Sequence, residues 1–339
     1  MSVKTLPDAP GVSDPHEKAR PRFSPAALRG APHTGLIAVL IVVIVATSLR
    51  TDSFATDTNV INILRQVSVV AVIAAGLTLL MTAGGMDFSM GSNVAVTTAV
   101  GAQLLAHGHS TAFTVVAALV LATLIGLVNG VVVTFTNVAP FVATLATATL
   151  LDGVALLVLD SVSVSIGTKM FALGNNKILG VPYLLVVAIL VLVATALVMR
   201  FTVFGRDAFA IGGNEHVARL SGINVTARKL SLYALTGALS GLAGLMLLSR
   251  LSGSSPGTGG LSLQLQAVAA VVIGGTALAG GYGTVVGTAL GVVLLGVVAN
   301  ALNLLQVSSN YQSVSVGGVL LIAAIANEMH KARSRSAGH

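Results

Sequence analysis

Apolar residues in this chain run on in long stretches broken by short polar intervals, instead of recurring on one helix face or at alternate strand positions. Residues 181–199 and 230–249 carry no charged side chain at all. At about 1.5 Å of rise per residue, each is long enough to cross a hydrocarbon layer of roughly 30 Å. Eight further runs follow the pattern, at 34–48, 61–82, 93–106, 112–135, 141–159, 264–278, 284–305 and 314–326. Those at 34–48 and 93–106 are short for a span, and 264–278 predicts a partly broken or re-entrant helix. Backbone groups in lipid must be paired within their own segment, and the runs are too long and too uniformly apolar for barrel strands. The pattern therefore predicts an all-α polytopic membrane protein of about ten transmembrane helices, some short or broken.

The polar intervals assign the sides. Residues 1–33 are polar and Pro-rich, and read as a disordered cytoplasmic tail, with too long a basic region for a cleaved signal peptide. Of 18 Lys and Arg, 13 fall in the first 34 residues, in residues 200–229 and in the last nine. The positive-inside tendency puts all three clusters on the cytoplasmic side, and ten crossings place both termini there as well. Residues 34–327 are then the transmembrane domain, 200–229 its central cytoplasmic loop and 328–339 a cytoplasmic tail. Residues 50–59, 160–180 and 250–263 face outward, and Arg65, near the outer end of its run, is expected to snorkel or to face protein.

Composition sharpens this picture. Only 9 % of the residues are charged and 55 % are hydrophobic, whereas a soluble domain carries about 25 % charged residues. The net charge of +7 follows from the membrane-side clusters and is no sign of a nucleic-acid partner; the partner it implies is membrane lipid. With no cysteine, disulfides and thiolate metal sites are excluded. The 37 glycines often stand beside Ala, Ser or Thr, as in residues 235–245 and 283–296. Such spacing lets helices approach closely, and it also permits broken helices along a pathway.

The loop at 200–229 holds a short helix of its own. Asn214 can cap it, Glu215 suits its first turn, Val217 and Leu220 share one face with Arg219 between them, and Gly222 can close it in a left-handed conformation. It reads either as a handle for a cytosolic partner or as a surface helix lying on its own bundle.

Residues 83–92 and 279–288 share Ala-Gly-Gly, five residues, then Gly and a hydroxyl residue. The predicted topology makes this faint repeat parallel. Asp87, inside the first copy, needs hydration or a partner; Asp87 or Ser89 can cap the helix that follows, and a gate or a partner contact stays open. Asp152 lies deeper with no basic residue near it in sequence, and suits a buried hydrogen bond or a pathway. Asn129, Asn300, Asn303 and Gln306 add amides that can contact a polar solute or tie helices together. No residue set for catalysis, cofactor or metal binding is visible, so any ATP-driven work falls to a partner.

Three stretches, GGMDFSMGS at 84–92, GRDAFAIGGNEHVARLSGINV at 205–225 and the Gly-rich run at 270–312, resemble the permease subunit of ribose-, xylose- and galactose-type ABC sugar importers. The resemblance covers about residues 61–325. It implies two permease copies forming the channel, cytoplasmic ATP-binding subunits that carry ATP and magnesium, and an extracytoplasmic sugar-binding protein. It implies that Gly212, Gly213, Asn214 and Glu215, with residues 218–223, form the segment docked on the ATPase. The family often has a basic residue before the glycine at Gly153, where this chain has Asp152. The expected function is inward translocation of a monosaccharide by alternating access in the inner membrane. A nucleoside or branched-chain amino acid importer of the same architecture is an alternative. So is an ion-coupled transporter, which would need Asp87 or Asp152 as its coupling carboxylate.

Overall fold

A computed structural model describes residues 33–136 and 138–307, together with Val314, Gly317 and Gly318. In chain order the described helices are α1 (Thr34–Ser48), α2 (Asp57–Thr82), α3 (Met90–Ala106), α4 (Thr111–Phe135), α5 (Pro140–Val158), α6 (Phe171–Asn175), α7 (Tyr183–Phe201), α8 (Val203–Gly213), α9 (Glu215–Leu220), α10 (Val225–Leu251), α11 (Gly260–Ile273) and α12 (Val285–Leu304). Nine of the ten apolar runs coincide with helices, and the tenth, 314–326, lies outside the described residues apart from three positions, as do both terminal tails apart from His33. Six of these helices, α2, α4, α5, α7, α10 and α12, are long and apolar enough to cross a membrane. Local chemistry sets several starts: Thr56, Ser110 and Thr284 accept from the backbone N–H of Asn59, Phe113 and Gly287, and Pro140 opens α5 where its missing N–H costs nothing.

Helix α2 is the centre of the bundle, with residues 67–82 all buried. Its apolar residues lie all round the axis, so it demands neighbours on every side. Helix α12 runs antiparallel along it. Asn59 and Asn300 exchange amide hydrogen bonds of 3.0 and 2.8 Å, and the Thr78 and Thr288 hydroxyls meet at 2.7 Å. Asn300 therefore ties helices together, one of the two roles its position suggested. Helices α4 and α10 make the closest pair through Gly126, Gly130, Gly237 and Gly241; a Cβ on Gly126 would stand 2.2 Å from the Tyr233 carbonyl oxygen. Side chains are excluded from that seam, so the backbones touch.

Two helices begin inside the bundle. A Cβ on Gly76 would lie 3.5 Å from Met90, so α3 starts beside the body of α2 and not at its end. The chain climbs back through residues 83–89 to get there. Helix α11 begins against the same place, where a Cβ on Gly91 would meet the Gly260 carbonyl oxygen at 2.3 Å. The fourteen residues of α11 then run back to a Gly274–Gly287 contact beside the start of α12. The short run at 264–278 is thus a half-helix entered from residues 252–259. Helices α3 and α11 diverge from one point in opposite directions, whereas α3 and α12, which follow the two Ala-Gly-Gly copies, both run opposite to α2, as the parallel reading expects. The two copies pack against each other, a Cβ on Gly280 standing 2.8 Å from Gly84 Cα, and Gly281 N–H donates at 2.8 Å to the carbonyl of Thr82, just before the first copy.

At the end away from α9, β1 (Val164–Ser165) pairs with β4 (Gly253–Ser254), and β2 (Lys177–Ile178) pairs with β3 (Val181–Pro182). Helix α6 lies on α10, where Ser249 donates to the Met170 carbonyl at 2.6 Å. Arg65 faces protein, donating to the last carbonyl of α6, Asn175 O, at 2.7 Å.

Candidate coupling and translocation site

The loop between α7 and α10 is almost wholly helical. The expected helix is present as α9. Asn214 Oδ1 accepts from Val217 N–H at 3.1 Å, and Gly222 closes the helix at φ +84°. Backbone bonds from Gly222 N to Arg219 O and from Ile223 N to Ala218 O complete the left-handed ending. Helix α8 is not foreseen by the pattern, because its Arg206, Asp207 and paired glycines read as irregular loop. It positions α9: Ala218 packs into a cluster with Ile211, Val225 and Ile223.

Ion pairs join the pieces. Glu215 binds Arg219 at 3.1 Å and Lys229 at 2.7 Å, and Asp207 on α8 binds Arg228 on α10 at 2.6 Å. The hydrogen bond from Lys229 is the main reason the Glu215 carboxyl is held below the usual glutamate range. With Ala218 turned inward, Val217 and Leu220 are left 55 % and 76 % exposed. The apolar ridge does not lie on its own bundle; it points away from it.

The C-terminal end of α8, two residues before the cap of α9, reaches the helix breaks. A Cβ on Gly212 would stand 1.9 Å from Thr82 O and 2.5 Å from Gly281 N, and one on Gly280 would stand 2.8 Å from Gly84 Cα. Gly84, Gly280 and Gly281 all have positive φ. End of α2, end of α8 and approach to α12 therefore meet backbone to backbone, at a point only glycine allows.

Beyond this junction, residues 85–89 are non-helical within the bundle, so side chains of four other helices supply partners. Tyr233 on α10 donates to Met86 O at 2.9 Å, and Thr144 on α5 accepts from Phe88 N–H at 3.0 Å. Asn129 on α4 donates to Ser89 Oγ at 2.6 Å, and Gln264 on α11 donates to Asp87 O at 2.8 Å. Gln264 Oε1 also accepts from Gly91 N–H, in the first turn of α3, at 2.9 Å. Asp87 is 2 % exposed; its Oδ1 accepts from Ser89 N–H at 2.8 Å and Ser89 Oγ–H at 2.6 Å, and Thr236 donates to Oδ2 at 3.4 Å. The capping expectation needs correcting. Ser89 occupies the N-cap position without a side-chain cap bond, because Asp87 engages it, and the free N–H of α3 is satisfied by Gln264 from another helix.

The remaining sequence candidates scatter. Asn303 and Gln306 are exposed at the far end of α12. Asp152 is half-buried on α5, beside a cavity of about 310 Å³. Gln264 and Tyr233 carry the node and were not singled out by sequence. An amide inside an apolar run, as at Gln264 and Gln266 in LSLQLQAVAAVV, is the signal that could have marked Gln264.

Similarity to known proteins agrees with this geometry. The chain is 40 % identical to the ribose import permease protein RbsC of Haemophilus influenzae over 296 residues, 86 % of this chain and 91 % of that protein. It is 39 % identical to the RbsC of Bacillus subtilis over 314 residues, 91 % and 95 % of the two chains. It is 31 % identical to the L-arabinose ABC transporter permease protein AraH of Azospirillum brasilense over 320 residues, 93 % and 94 %. No solved structure matches it at a significant level. With residues 59–324 matching its model, the chain belongs to the branched-chain amino acid transport system / permease component family and is a membrane transport component, not an enzyme.

Proposed function

We propose that this chain is the membrane subunit of an ATP-driven, binding-protein-dependent importer that carries a monosaccharide of the ribose or arabinose kind inward by alternating access. Two copies form the channel in the inner membrane, each with ten spans in lipid and both termini cytoplasmic. ATP and magnesium act on cytoplasmic partner subunits, and an extracytoplasmic binding protein delivers the sugar. The observation that carries this reading is the α8–α9 unit. It offers an exposed apolar ridge at Val217 and Leu220, and the joint between its two helices is wedged at Gly212 between Thr82 and Gly281. A pull on α9 therefore reaches the approaches to both α3 and α12 without an intervening side chain. Residues Asn214, Glu215, Val217, Arg219, Leu220 and Gly222 serve as the coupling element. Asp87 serves to hold the 84–89 segment and not as an ion-coupling carboxylate, since its oxygens are engaged by Ser89 and Thr236. The sugar named in the relatives is preferred over the amino acid of the family description because the solute must traverse spans with few charges.

Leu220→Asp tests the coupling. Burying an unpaired carboxylate in a protein contact costs several kcal/mol, enough to lower subunit affinity by roughly a hundredfold. The expected result is normal permease abundance, poor recovery of the ATPase with tagged permease, and little uptake of labelled ribose or arabinose. Unchanged ATPase recovery and uptake would remove α9 as the coupling element.

A further inference from the structure

We infer that the cavity bounded by α3, α5 and the 252–259 connection is a binding subsite for a neutral polyhydroxylated solute, with Asp152 as its chief acceptor. The inference rests on the importer reading and adds a location to it. At about 310 Å³ the cavity lies at the small end of the range for ligand pockets, about 300–1,000 Å³. Asp152, Ser255, Thr258 and Ser262 supply its polar groups, and Ala95 and Leu156 contribute apolar wall. No Lys, Arg or His lines it. The only charged side chain an anionic solute would meet is Asp152, and a zwitterion would find no cationic side chain for its carboxylate. A sugar needs hydrogen-bond acceptors beside a surface for its C–H face, and both are present.

Asp152 is placed for this role and engaged in no other. It projects from the apolar helix α5, is only partly exposed, and makes no hydrogen bond or ion pair among the described residues. A carboxylate inside a membrane bundle costs several kcal/mol unless hydrated or paired. What faces it is the start of α11: its Oδ1 would be 3.4 Å from a Cβ on Gly260, and the N-cap Gly259 has no side chain to offer that turn. The unpaired N–H groups of a helix start favour negative charge, which holds the carboxylate in place while its remaining lone pairs point to the cavity. Ser255 and Thr258, on the connection leading into α11, are preorganised, since Ser255 N–H donates to Thr258 Oγ1 at 3.1 Å and the two hydroxyls meet at 3.2 Å.

The position also has a mechanical meaning. Gly259 packs on α3, where its Cβ would stand 3.0 Å from Ala95 N and Gly91 O, and Gln264 follows one turn along α11. A solute at Asp152 therefore rests on the backbone that Gln264 fastens to α3, on the side away from Asp87. Its contacts bear directly on the meeting point of the two half-helices.

The chain has no cysteine, so Ser262→Cys gives a single reporter at the cavity. The permease with its ATPase is placed in lipid nanodiscs, and modification by a methanethiosulfonate reagent is followed with and without millimolar D-ribose or L-arabinose. The expected result is several-fold slower modification with one of these sugars, and none with sodium glutamate. A control cysteine at Ser53 should react at one rate throughout. Adding Asp152→Asn should leave the sugar-free rate within about twofold and raise the sugar concentration needed for protection by about tenfold or more. Absence of protection in the Ser262→Cys protein overturns the subsite, and protection unchanged by Asp152→Asn overturns the role of the carboxylate. Uptake of the same labelled sugars by the parent separates the two readings. Normal uptake without protection removes the subsite alone, whereas a parent that takes up neither sugar removes the importer assignment beneath it.

Discussion

Gly212 and Gly213 are neighbours at the end of α8, and the structure assigns them opposite responses to alanine. At Gly212 a Cβ would stand 1.9 Å from Thr82 O and 2.5 Å from Gly281 N, both backbone atoms with no rotamer to escape into. Ordinary contact begins near 3.4 Å, so the strands of the junction must part by roughly 1.5 Å. Overpacking of that kind costs about 1–3 kcal/mol, and loss of the 2.8 Å bond from Gly281 N–H to Thr82 O adds about 1 kcal/mol. A Cβ on Gly213 meets nothing within 4 Å. There the change removes backbone freedom from the unfolded chain and is neutral or stabilising by up to about 1 kcal/mol. Heating fluorescent-tagged permease and following the surviving monodisperse peak should show Gly212→Ala melting several degrees below the parent, with Gly213→Ala at or above it. Gly212→Ala should also lose uptake while retaining the ATPase on purification, because α9 is untouched. Equal melting and equal uptake for the two variants would refute the backbone-contact account of the junction.

Gln264→Leu should lower thermal stability by about 2–4 kcal/mol, since it strands the buried Gly91 N–H and Asp87 carbonyl; parental stability would show that other groups satisfy them. Asp87→Asn should retain more uptake than Asp87→Lys at equal membrane abundance, because an amide oxygen still accepts from Ser89; equal loss would point to a carboxylate needed as such. Glu215, held below its ordinary 4.5 by Lys229, contributes stability that is present above about pH 4.5 and lost as pH falls through its lower folded value. Pepsin cleavage within residues 214–229 should therefore rise in the parent below pH 4.5 relative to Glu215→Gln, and a constant ratio would discount the tie. Single cysteines at Asn214 and Ser163 should label from opposite sides of the membrane, and labelling from the same side would overturn the ten-span orientation.

Much of the fold was legible because apolar runs in lipid-spanning helices need no periodicity to be seen. The pattern located nine helices, and the Asn214 cap, the Val217–Leu220 ridge and the Gly222 ending of α9 all followed from local rules. What sequence could not supply was any bond spanning many residues. Gln264 meets its partners 173 and 177 positions away, and Tyr233 reaches Met86 across 147. Helix α8 was hidden by Arg206, Asp207 and its glycines, and the pairing of Asp207 with Arg228 on α10 is visible only in the fold. Similar glycine spacing marked two segments that pack against each other and lead into helices running the same way, α3 and α12.

The segment at 84–89 has one property that its hydrogen-bond partners determine together. A helix under load loses its bonds one turn at a time, so it deforms gradually. Here the bonds are shared among four other helices, reached by Tyr233 and Thr236 on α10, Thr144 on α5, Asn129 on α4 and Gln264 on α11. A rigid shift of about 1 Å carries several of these donors and acceptors beyond bonding range in the same instant. The segment therefore behaves as a latch that holds firm under small forces and lets go at a threshold, and a latch of this kind gives a transport cycle two resting positions with nothing stable between them.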